Sequence, residues 1–228
     1  MKKIAKMNEI AWVMGVLLCA IGVSLCTKAN FGLSMVAAPA YIIHVFFRDI
    51  FSWYTQGTSE YVTQGIILII MCVIIRRFRA KYLLTFVCAV VFGLAVDGCL
   101  FLLGGNAPYE SMTARIIAFI FGETITAVAI ACYFRTDLPL GVYELAVSEI
   151  AKRYNLKIDK VKQANDIIML VVSLILAFVL NRSFAGIGIG TVIITVVNAP
   201  LIAFFGKSLD KLFTFEPRFP RFVEKIKL

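Results

Sequence analysis

Glu123 has the strongest claim to chemistry in this chain. It stands in an apolar stretch, residues 113–134, about ten positions from the start, which at 1.5 Å per residue puts it ~15 Å deep, near the middle of a ~30 Å hydrocarbon core. A carboxylate there is costly unless it is paired, protonated or wet. Two readings stay open: a group that binds or couples a proton or cation, and a protonated glutamate that fixes helix packing. Asp97 stands in residues 82–103, ~24 Å from the inner end of that stretch, where Asp97-Gly98 can bind solute or simply end a helix early. Asn198, ~10 Å from the outer side of residues 191–206, offers neutral hydrogen bonds together with Thr124, Thr191 and Thr195. Threonines in membrane helices also bond their own backbone.

Two polar breaks add further candidates. In residues 15–47 an apolar helix breaks at Thr27-Lys28-Ala29-Asn30, crosses Phe31-Gly32, passes Ser34 and turns apolar again. Residues 122–150 repeat this shape, with Arg135-Thr136-Asp137 and a Pro/Gly turn leading to Glu144. Asn30, Ser34 and Glu144 therefore join Glu123, Asp97, Asn198, Thr124 and Thr191 as candidate solute-binding or coupling residues. Lys28 either snorkels outward or meets an anion; His44 reads as an interfacial aromatic or a proton shuttle.

Enzyme chemistry fails on inventory. The single histidine has no Gly-x-Ser-x-Gly to serve, and there is no Walker A sequence, His-Glu-x-x-His or dinucleotide fingerprint. Gly186 to Gly190 follows an apolar helix, so it is a poor phosphate loop. The six cysteines lie in or beside apolar segments without a Cys-x-x-Cys and read as packing residues. No cofactor or metal is implied, and the reading is of a non-enzyme.

The elements that must position these residues are membrane helices. With 228 residues, 61% hydrophobic and 16% charged, and a mean hydropathy of +0.89, the chain has too little polar surface for a soluble globule of its size. The net charge of +9 lies between apolar stretches and at both ends, which suits lipid head groups rather than nucleic acid. Six spans are expected, at residues 10–26, 62–75, 82–103, 113–134, 167–180 and 191–206. Short apolar segments, 33–47 and 138–150, are expected to be re-entrant or interfacial helices, and residues 151–166 a helical connection at the membrane surface. Ala11, Gly15, Cys19, Gly22 and Cys26 form a small-residue stripe that asks for a close neighbouring helix, from the other half of the chain or from a second copy. The basic start of the chain continues into apolar sequence without a cleavage site, so it reads as a retained first helix.

Positive charge sets the orientation. With a cytoplasmic N-terminus, the Arg76 to Lys81 run, Lys152 to Lys162 and the basic, aromatic tail all fall inside. Six spans split as three plus three, so a duplicated second half would be inverted. The chain then divides into a first repeat (1–109), a second repeat (110–206) and a tail (207–228) on the inner leaflet. Gly15, Cys19 and Gly22 can be set against Gly122, Thr126 and Ala129, and Thr85, Gly93 and Asp97 against Asn198, Gly206 and Asp210. Inverted repeats with broken helices place a solute site between the halves.

Residues 29–34 (ANFGLS), 138–144 (LPLGVYE), and 186–191 (GIGIGT) leading to Asn198-Ala199 resemble the YczE/YitT-like bacterial integral membrane proteins over nearly the whole chain. That resemblance implies a six-helix protein of the bacterial cytoplasmic membrane and no established substrate. The expected class is an all-α polytopic membrane protein with both termini cytoplasmic. The expected function is a small secondary transporter or channel for a polar solute, with Glu123 as coupling group. The alternative is a non-transporting subunit, either a substrate-capturing importer component or a regulatory partner. Expected partners are the lipid bilayer, a polar solute or ion, and a homodimer mate or partner membrane protein, with no nucleic acid.

Overall fold

The computed structural model describes residues 3–5, 8–136, 138, 141–181 and 186–215. Its helices are α1 (Asn8–Ala29), α2 (Ala38–Phe47), α3 (Gln56–Ile75), α4 (Tyr82–Leu102), α5 (Met112–Tyr133), α6 (Val142–Tyr154), α7 (Ile158–Leu176) and α8 (Ile189–Leu212). A π-helical turn, Ala177–Asn181, closes α7. Six helices are long and apolar enough to cross a membrane: α1, α3, α4, α5, α8 and the continuous stretch Lys160–Leu180. Large apolar side chains such as Ile69, Val73, Leu94 and Val196 stand on their outer faces, most of each exposed, which lipid would cover. The chain is an all-α polytopic membrane protein.

The long helices start and stop where backbone chemistry requires. Thr55 caps α3 by accepting a hydrogen bond from the Thr58 N–H at 3.1 Å, and α3 ends at Arg76 in a left-handed conformation, φ 50°. Beside the helices, β1 (Lys3–Ala5) and β2 (Phe213–Phe215) form one short parallel pairing. It ties the two ends of the described chain to one end of the bundle.

Packing centres on α1 against α5. A side chain at Gly22 would meet Thr126 and the Gly122 carbonyl, one at Gly122 would meet Cys26 and the Gly22 carbonyl, and Gly15 faces Ala129 and Tyr133. The small-residue stripe of α1 is therefore met by α5 of the same chain. Around this pair the contacts match: α1 packs on α4 as α5 packs on α8, α2 on α3 as α6 on α7, and α2 on α7 as α6 on α3. The match fails where α3 runs along α4 whereas α7 and α8 share little contact, and where α4 touches α6 without a like contact between α8 and α2, among the described residues.

Helix bounds differ from expectation at the polar ends. The second span begins at Gln56 rather than residue 62, and the fifth helix begins at Ile158 rather than 167. The expected surface connection at 151–166 is instead the end of α6, a turn at Asn155 (φ 53°) and the first two turns of α7. Gln56, Ser59, Glu60 and Gln64 are buried, so these polar turns face protein and continue the helix instead of ending it. Asp97-Gly98 does not interrupt α4, which runs to Leu102. The first short helix covers only 38–47, and α8 continues to Leu212, past the expected start of the tail at 207; residues 216–228 of that tail lie outside the described residues.

Candidate functional site

One cavity of about 170 Å³ lies inside the bundle, room for on the order of a dozen waters. Every helix except α2 contributes to its wall, and residues 34–37, just before α2, complete it. Many of its polar groups come from two short-helix starts and two long-helix starts. Ser34 stands before α2, and Tyr143 and Glu144 open α6. Glu60 and Gln64 are the fifth and ninth residues of α3; Lys162 and Asp166 are the fifth and ninth of α7. An i, i+4 pair lies on one helix face, so both helices present the same two-position polar face to the cavity. Asn198 and Thr195 of α8 and Trp12 and Cys19 of α1 also line it.

The electrostatics are dominated by carboxylates. Glu60 is 1% exposed; its Oε2 accepts a long hydrogen bond from the Tyr143 hydroxyl at 3.5 Å, the Gln64 side chain lies within hydrogen-bonding reach, and Oε1 has no hydrogen bond of good geometry. The Asp166 carboxylate lies 4.0 Å from the Lys162 ammonium through Oδ2, and its Oδ1 is unpaired, as is Oδ1 of Asn198. Burial pushes the Glu144 carboxyl above the ordinary range; Lys162 opposes that shift and Asp166 adds to it. Cys19, Tyr133 and Tyr143 also lie within electrostatic reach of Glu144.

Of the eight residues predicted from sequence, this cavity gathers Ser34, Glu144 and Asn198. Glu123 is buried but does not line it; it sits within reach of Cys19 and Cys26, with Oε1 unpaired. Thr124 donates to the Ile120 carbonyl of its own helix. Thr191 accepts from the Gly188 N–H at the start of α8, and Thr195 donates back to the Thr191 carbonyl. Asn30 ends α1 with φ 51°, its carbonyl held by Arg115. Asp97 accepts from the Gly57 N–H at 2.7 Å and the Thr55 hydroxyl at 2.6 Å, so it anchors the start of α3. Asp97→Ala is expected to lower stability by ~1–3 kcal/mol while leaving ligand affinity unchanged; thermal unfolding with and without ligand checks both.

Lys28 does not snorkel outward. It is buried with its ammonium 4.9 Å from the centre of the Tyr109 ring. His44 is buried: Asn106 donates to Nε2 at 2.7 Å, which leaves Nδ1–H to donate to the Tyr54 carbonyl at 3.1 Å. Burial pushes its pKa down, which favours this neutral form. The glycines at 186–190 serve close approach, not phosphate: Leu33 donates to the Gly186 carbonyl, Gly190 donates to the Phe31 carbonyl, and Gly32 (φ 107°) and Gly186 (φ 77°) take conformations that favour glycine.

Sequence reasoning missed Glu60, Gln64, Tyr143, Lys162 and Asp166. The usable signal was the repeated polar i, i+4 pair just before an apolar run. Fold and cavity together define the class, a polytopic α-helical membrane protein with a largely apolar chamber that carries a few charged and polar side chains. Residues 6–207 match a family of unknown function, DUF6198, and the chain belongs to that family. No curated protein and no solved structure matches it.

Proposed function

We propose that the chain is a small secondary transporter or channel for a polar solute, coupled to a proton or cation, with its site in the central cavity between two inverted halves. The observation that carries this is the cavity itself, whose polar groups include matching positions on α3 and α7, the α3 pair being buried. The paired packing around α1 and α5 supports the inversion, which would let one half rock against the other around a fixed site. The coupling role that the sequence suggests for Glu123 passes in this reading to the cavity carboxylates. The end carrying Arg76, Arg77, Arg79, Lys152 and Arg153 is the cytoplasmic one by the positive-inside rule, and the short pairing of residues 3–5 with 213–215 lies at it. Residence in a bacterial cytoplasmic membrane and kinship with the YczE/YitT-like proteins belong to the same proposal and rest on the sequence motifs.

The test is thermal stabilisation of the purified protein by a library of polar solutes at pH 5.5 and 7.5, followed by flux of any hit into proteoliposomes. A stabilising solute that is carried across, with its effect retained in Glu123→Gln and lost in Asn198→Leu, is the expected result. Binding without flux would favour the substrate-capturing subunit instead. No binding of any solute to folded protein would overturn the site.

A further inference from the structure

We propose that the central cavity takes a solute bearing a compact cationic group, an ammonium or comparable organic cation, held at Glu60 within an acidic wall completed by Glu144 and Asp166. This rests on the reading of the cavity as a solute site and names the chemistry that site selects.

The wall holds three carboxylates and one ammonium among the described residues, and the ammonium, Lys162, already faces Asp166. Glu144 feels that same ammonium, so one cation serves two carboxylates and Glu60 has none of the protein's own inside the cavity. Every buried polar atom of this wall without a partner is an acceptor: Glu60 Oε1, Asp166 Oδ1 and Asn198 Oδ1. Acceptors in a low-dielectric cavity call for a ligand that donates several hydrogen bonds, and an ammonium does so while neutralising charge. An anion brings only acceptors and more negative charge. Trp12, Phe92, Tyr133 and Tyr143 complete the wall, and aromatic faces attract cations.

The positive ends of the two short helices do not reverse this. The α6 start carries Glu144 in its first turn, where a carboxylate is favoured. The approach to α2 is occupied by Ser34, whose hydroxyl accepts from the Ala37 N–H at 3.4 Å and whose carbonyl accepts from Ala38.

The test uses the purified full-length protein and probes matched in size. 4-Amino-1-butanol, choline and lysine are the cations, 1,4-butanediol is the neutral match and 4-hydroxybutyrate the anion, each titrated by thermal unfolding at pH 7.5. At least one cation is expected to stabilise the protein while the diol and the acid do not. Glu60→Gln should weaken that cation at least tenfold, and Asp49→Asn, on the exposed loop, should not. Should Glu60→Gln fail to fold, Asp166→Asn carries the same expectation. Stabilisation by the diol or the acid equal to that by the cations, or undiminished cation binding in the variant, overturns the cation assignment and leaves a solute site standing. If no probe and no library solute binds, both readings fall.

Discussion

Gly22→Leu is expected to yield no monodisperse folded protein, and Gly22→Ala to lower the melting temperature clearly. The α1–α5 contact is the most extensive between any two helices of the bundle, and at its crossing each glycine faces the other's carbonyl. A Cβ at Gly22 meets Thr126, whose hydroxyl is held by the Gly122 carbonyl at 2.8 Å. Relief requires the helices to separate, and overpacking of this kind costs ~1–3 kcal/mol for added methylenes, more against fixed backbone. Gly98 is the control: it lies inside α4 with nothing within 4 Å of an added Cβ, so Gly98→Ala should stabilise by ~0.5–1 kcal/mol through helix propensity. Thermal unfolding and size-exclusion chromatography in one detergent decide the matter. An unperturbed Gly22→Leu would mean that α1 and α5 do not cross here.

The second large effect is a pair of opposite pH dependences. The Glu144 carboxyl lies above its ordinary value because burial penalises its charge. A raised carboxyl pKa favours the protonated folded state, so its stability contribution is full below the unfolded value, ~4.3, and is lost as pH rises through the folded value. The ligand-free protein should therefore gain stability as pH falls from 7.5 toward 5. A bound cation needs the carboxylate, so its affinity should fall over the same interval, by about tenfold per pH unit once a single required carboxylate is mostly protonated. Glu60, Asp166, Lys162, Tyr133, Tyr143 and Cys19 surround the same space, and Glu144→Gln removes only the share belonging to Glu144. Both slopes should shrink in that variant. Unchanged slopes would place the titrating group elsewhere.

These effects turn on residues that differ in how far the sequence revealed them. Gly22 was legible, because a run of small residues at helical spacing has few uses in a membrane other than close helix approach. Glu144 was legible as a polar residue opening a short helix. Glu60 and Asp166 were not, since polar residues beside an apolar run look like solvated flanks whether they face water or a buried chamber. Hydropathy reads the average environment of a segment, and a first helical turn can have one polar face inward at little cost to that average. Asp97 and Glu123 erred the other way: position along a helix says nothing of rotation about its axis. That rotation separates an anchor for the start of α3 or a group near Cys26 from a cavity residue.

By itself the sequence determined the membrane class, the number of spans, the two short helices that follow the breaks and the basic segments that distinguish one end of the bundle from the other. Those follow from composition and periodicity, which act locally along the chain. Only the tertiary structure decided that α1 meets α5, that the starts of α3 and α7 face one chamber, and that Glu60, Glu144, Asp166 and Asn198 share it. Such convergence depends on which face each helix turns inward, and that is set by packing between segments far apart in the chain.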